Sequence, residues 1–119
     1  MTRIRLRGSG AELTATLLDN PTARDLVSLL PLTVTIGDHA STEKVADLPR
    51  HLTTDGAPPG FDPDVGDVTT YAPWGNLALF YEDFGYAAGL VQLGAIDSGL
   101  AHLRSLSGEI TIEVIAADS

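Results

Sequence analysis

The 119-residue sequence predicts a mainly-β fold, a barrel or sandwich of about eight short strands with two short helices. Three observations predict it. Apolar and polar residues alternate in segment after segment, which is the period of a half-buried strand. Only two stretches carry helical spacing, and no strand–helix–strand rhythm repeats, which disfavours a parallel sheet. Many short strands in a small domain favour closure or stacking, because either hides the edges.

Taken in order, Ile4 and Leu6 alternate with Arg3, Arg5 and Arg7, giving a strand with one apolar face. Gly8-Ser9-Gly10 makes a hairpin turn, and Leu13, Ala15 and Leu17 resume the inward face, so the arginines lie across from Glu12 and the threonines. Asn20-Pro21 starts a helix, Asn capping free N–H groups and Pro being tolerated at the first position. Ala23, Leu26, Val27 and Leu30 form its core stripe, and Pro31 ends it. Leu32, Val34 and Ile36 make the next strand, and Glu43 to Leu48 a weaker one. Thr53 to Gly66, rich in Gly, Pro and Asp, is a long loop. Asp67 to Ala72 and Leu77 to Tyr81 are strands joined through Pro73-Trp74-Gly75-Asn76, and Glu82 to Gly89 is a second loop. Leu90 to Ile96 is a strand. Asp97 caps a short helix carrying Leu100, Leu103 and Leu106, Gly108 stops it, and Ile110, Ile112 and Val114 close the fold.

The length leaves room for one domain, taken as residues 1–119. With 44% hydrophobic and 19% charged residues, the chain has the make-up of a folded globular protein. A net charge of −9 argues against nucleic-acid and anionic-membrane partners, which need clustered cations. The arginine stripe is the one basic cluster, and it reads as a strand face. No cysteine is present, which excludes disulfides and thiol chemistry and fits a reducing compartment. The N-terminus lacks a signal-peptide run and no stretch is long enough to span a membrane, so a cytoplasmic location is expected.

All seven aromatic residues fall between Phe61 and Tyr86. Large rings offer flat, low-entropy contact area, so such a concentration suggests a ligand-gripping wall. Tyr71, Trp74, Asn76, Phe84 and Tyr86 are the candidate ligand-binding residues, Phe84 and Tyr86 because core packing does not explain rings in a loop. Trp74 has two readings: a plug for one barrel end, or the rim of a cleft with Asn76 offering its amide. The turn set by Pro73 and Gly75 points one neighbour inward and favours the plug. Asp62-Pro63-Asp64-Val65-Gly66-Asp67 fails the calcium-loop spacing, and His39, His51 and His102 form no ligand pair. Neither metal nor cofactor is expected, and no motif assigns a catalytic residue.

Several segments together resemble the small bacterial cyclophilin-like family. Val91 to Leu106 is similar to the cyclophilin stretch in which an apolar strand with a central Gly enters a helix. Gly66-Asp67-Val68, Trp74-Gly75-Asn76-Leu77 and Phe80-Tyr81 resemble the family's signature, as do Asp19 to Ala23, Thr42-Glu43-Lys44 and Phe84-Gly85-Tyr86. The resemblance implies a closed cyclophilin-like β-barrel. Cyclophilins that isomerise prolyl bonds carry a Phe-His-Arg-Val run and a Gln-Phe-Phe run, and neither occurs here. An isomerase needs a donor aimed at the proline nitrogen, and Lys is a point charge without the planar fork of Arg. The function expected is therefore binding of a peptide or small organic ligand at the aromatic wall. The alternatives are a weak prolyl isomerase using Lys44, Arg50 or Asn76, and a protein-interaction module. Nothing in the sequence sets the oligomeric state.

Overall fold

Ser9 and Gly10 both take positive φ, 52° and 72°, and this turn folds β1 (Thr2–Gly8) back on β2 (Ala11–Leu17). Ile4 lies across from Ala15 and Leu6 across from Leu13, and all four are fully buried. The structure, a computed structural model, describes residues 1–117. The remaining strands are β3 (Leu32–His39), β4 (Glu43–Asp47), β5 (Gly60–Phe61), β6 (Asp67–Tyr71), β7 (Asn76–Phe80), β8 (Ala87–Ala88), β9 (Leu90–Ser98) and β10 (Gly108–Ala117). Eight of them close an antiparallel barrel in the order β1-β10-β3-β4-β7-β6-β9-β2, and β5 and β8 pair separately. The strand pattern alone left barrel and sandwich open, the family resemblance implied the closed barrel, and the structure is that barrel.

The arginine stripe lies as expected, Arg3 against Thr16, Arg5 against Thr14 and Arg7 against Glu12. Its strongest partner comes from β10 instead: Arg5 donates two bonds to Glu113, at 2.9 and 2.7 Å. Helix α1 (Pro21–Val27) is capped by Asn20, whose Oδ1 accepts from Ala23 N at 2.8 Å. It ends before Pro31, because Leu29 and Leu30 turn back to the carbonyls of Leu26 and Val27. Ala23 and Leu26 seal the barrel interior, which is filled by Leu, Ile and Val from every barrel strand except β4 and by the short-chain Ala46 there.

Two expectations need correction, and the second short helix needs only refinement. Asp97 does not cap a helix. It is the extra residue of a bulge in β9, where the register with β2 jumps from Thr14–Ser98 to Ala15–Ile96. The bulge aims its carboxylate at the hydroxyls of Thr14 and Thr16 and at Arg3, which hold it below the usual carboxylate range. The second helix is a 3-10 turn, Leu100–Ser105, entered through Gly99 at φ 82°. Finally, the loops 53–66 and 82–89 are not wholly irregular: Gly60 pairs with Ala88 and Phe61 with Ala87. That two-rung ladder straps both loops over the outside of the barrel. No helix among the described residues is long and apolar enough to cross a membrane.

Candidate functional site

Where β4, β7 and β6 lie side by side, both faces of the sheet are covered. Leu77 and Leu79 of β7 point into the barrel, while Ala78 and Phe80 point outward and are equally buried. The outer cover comes from Leu90, Phe61, Ala87, Val45 and Tyr71. This second, smaller apolar cluster floors a cleft of about 190 Å3 on the outside of the barrel.

The strand register places the cleft residues in rows. His39, Glu43 and Phe80 are successive partners across β3, β4 and β7. Asp47, Asn76, Tyr71 and Leu90 form another row across β4, β7, β6 and β9. Trp74 stands edge-on to two rings, with centroids 5.2 Å from both His39 and Tyr71. Phe84 reaches down from the 82–89 loop to Phe80, 5.6 Å away. Tyr71, Trp74, Asn76 and Phe84 thus line one cleft together with Glu43. Tyr86 does not: it lies over Gly60, where its hydroxyl oxygen would be 2.4 Å from an added Cβ.

Trp74 is not a plug. It is 57% exposed, on the rim. The corner that carries it is fixed from beneath. Tyr71 O accepts from Trp74 N and Gly75 N, and Asn76 Oδ1 accepts from Tyr71 N at 3.1 Å. His51 bonds Ala72 O through Nδ1 at 2.9 Å and packs on Gly75, where a Cβ would come within 2.8 Å of the ring. Gly75 (φ 64°) therefore lets the ring seat, and the turn throws Trp74 outward rather than inward.

The cations considered for isomerase chemistry are engaged elsewhere. Lys44 alternates with Glu43 and Val45, so it points to the other face of β4. There its Nζ lies 3.1 Å from Asp38, which also accepts from the Tyr81 hydroxyl at 2.7 Å. Arg104, stacked 4.6 Å from the centre of the Tyr81 ring and bonded to Glu82, covers that end of the barrel. Arg50 clamps Asp25 with two bonds of 2.9 and 2.7 Å, and with Thr53 N this holds Asp25 down at about 2. Asn76 does reach the cleft, with its oxygen used by Tyr71 and its Nδ2 free of partners among the described residues.

Glu43 is the cleft residue that sequence reasoning missed. It is 7% exposed, and burial pushes its carboxyl above the usual range while His39 pulls weakly the other way. Alternation alone places it on the outer face beside Val45, but only the strapped loop buries it. Among the described residues no cluster of His, Asp and Glu could hold a metal ion.

A second cavity of about 210 Å3 adjoins the cleft across Leu90, bounded by the start of α1 and residues 55–61. A family model described as the cyclophilin-like family matches residues 6–114. The barrel is similar to the solution structure of a hypothetical protein from Archaeoglobus fulgidus, with a TM-score of 0.70 and 21% identity over 96% of this chain and 95% of that one. At that identity the likeness shows the fold alone. No curated protein matches.

Proposed function

The chain belongs to the cyclophilin-like family, and on that premise and the cleft's make-up we propose that it is a binding module for a small organic ligand or a peptide side chain. One observation carries this reading. Trp74 and Phe84 stay about half exposed around a concave floor of Phe80, Val45 and Leu90, when burying them against each other would remove more apolar surface from water. Exposed rings around a concavity are how ligand sites are built. Tyr86 belongs to the strap and not to the contact surface. Isomerase chemistry finds little support, since Lys44 and Arg50 are held away from the cleft and its one buried charged group is an anion. An acidic, cysteine-free chain suits a cytoplasmic setting.

The test is a fragment screen by protein-observed NMR on the whole chain. Shifts should concentrate on Tyr71, Trp74, Asn76 and Phe84. Fragments that bind elsewhere, or none that bind at millimolar concentration, would sink the reading. A protease-coupled assay on proline peptides should give the buffer rate.

A further inference from the structure

A carboxylate is held in this apolar cleft without a partner. Glu43 is more than nine-tenths buried, yet its carboxylate makes no hydrogen bond and no ion pair among the described residues. None of its oxygens is wholly enclosed, so the little accessible surface they retain opens onto the cleft that Glu43 lines. The seven lysine and arginine side chains are all paired with other carboxylates. Arg3 pairs with Asp97, Arg5 and Arg7 with Glu113, and Arg24 with Asp19. Lys44 pairs with Asp38, Arg50 with Asp25 and Arg104 with Glu82. Only His39, its direct cross-strand partner on β3, exerts an opposing charge effect on Glu43.

Burying an ionisable group without a counter-charge costs stability, and folded proteins satisfy nearly all such groups. Here the surroundings are rings. Phe80 is the cross-strand neighbour of Glu43, Phe84 packs on Phe80, and Trp74 stands on the other side against His39. An aromatic face attracts a cation through its quadrupole, and a buried carboxylate attracts it by charge. One ligand chemistry satisfies both.

We propose that the cleft recognises an organic ammonium ion, a primary or secondary amine on an apolar body, with Glu43 as its counter-charge and Trp74, Phe80 and Phe84 as its aromatic walls. This rests on the reading of the cleft as a binding site. The ammonium supplies N–H donors to Glu43, and the apolar body lies on the floor formed by Val45, Phe80 and Leu90. The Asn76 carboxamide, whose Nδ2 is free, is placed to accommodate one polar substituent on that body.

The experiment compares three probes of one shape and different charge: benzylamine, benzyl alcohol and benzoate, each titrated into the whole chain by NMR and by the fluorescence of Trp74. Benzylamine should bind about tenfold or more tighter than benzyl alcohol, with benzoate weakest. Glu43→Gln should abolish the preference for the amine over the alcohol. Equal binding of amine and alcohol, a preference for benzoate, or an amine preference that survives Glu43→Gln would overturn amine recognition and leave the cleft reading standing. Absence of any binding at the cleft would remove both. The three-probe comparison on the unaltered protein decides the matter even if the variant fails to fold.

Discussion

Trp74→Ala separates a rim residue from a structural plug. A tryptophan presents roughly 250 Å2, and with 57% exposure about 110 Å2 of it is covered. Roughly half of that belongs to backbone and Cβ atoms that alanine would keep covered, so at about 25 cal/mol per Å2 the lost burial is worth about 1.4 kcal/mol. The edge contacts with Tyr71 and His39 add about 0.5 kcal/mol, the low end for ring pairs because Trp74 is more than half exposed, for a total of about 2 kcal/mol. A fully buried tryptophan would cost roughly 3–5 kcal/mol. Because Trp74 is the sole tryptophan, the assay is urea denaturation followed by circular dichroism, with an unchanged denaturant slope as the check on two-state behaviour. A loss of about 3 kcal/mol or more would show that the ring supports the fold and that the rim geometry is wrong.

Gly94→Ala should unfold the barrel or cost several kcal/mol by thermal melting, since an added Cβ would meet Thr16 O at 2.2 Å and Leu17 Cα at 2.8 Å, both main-chain atoms. Asp25 has its folded pKa lowered to about 2 by Arg50 and Thr53 N, below its unfolded value, so its stabilising effect is present above about pH 4 and lost as pH falls towards 2. Asp25→Asn should flatten that acid limb of the stability curve. Glu43 has the opposite sign: burial raises its folded pKa, so the native state holds the proton longer and stability should decline as pH rises from about 4.5. The charge of His39, its cross-strand partner on β3, works against that rise in pKa, and the charge of Glu43 in turn helps raise the Tyr81 hydroxyl. Glu43→Gln should remove that decline and raise stability at neutral pH by about 1 kcal/mol, as read by urea denaturation.

The barrel was legible because its strands obey period two, and even the weak Glu43–Leu48 segment forms a strand. What was not legible came from long-range contacts. Asp97 has the composition of a helix cap, but Thr14 and Thr16, remote in sequence, make it a bulge residue. Gly60 and Phe61 pair with Ala88 and Ala87 in a ladder too short to have a period. The chemistry of Pro73 and Gly75 fixed the turn correctly but not its sense, which depends on the His51 ring beneath Gly75. One local signal was available and unread. The continuous apolar run Leu77-Ala78-Leu79-Phe80 marks a strand covered on both faces, and hence a cover outside the barrel. Glu43 then follows as a buried acid, because it shares the outer face with Val45 beneath that cover.

The seam between β1 and β10 has a consequence for how this barrel can be joined to other things. Thr2 lies opposite Ala117, side by side in one sheet. In the closed strand order β1 stands four places from β7, on the far wall from the aromatic cleft. A second domain attached at either of these residues would project away from the cleft. A short linker bridging the two, with the chain reopened at the exposed Asp55–Gly56 turn, would yield a circular permutant with the same barrel.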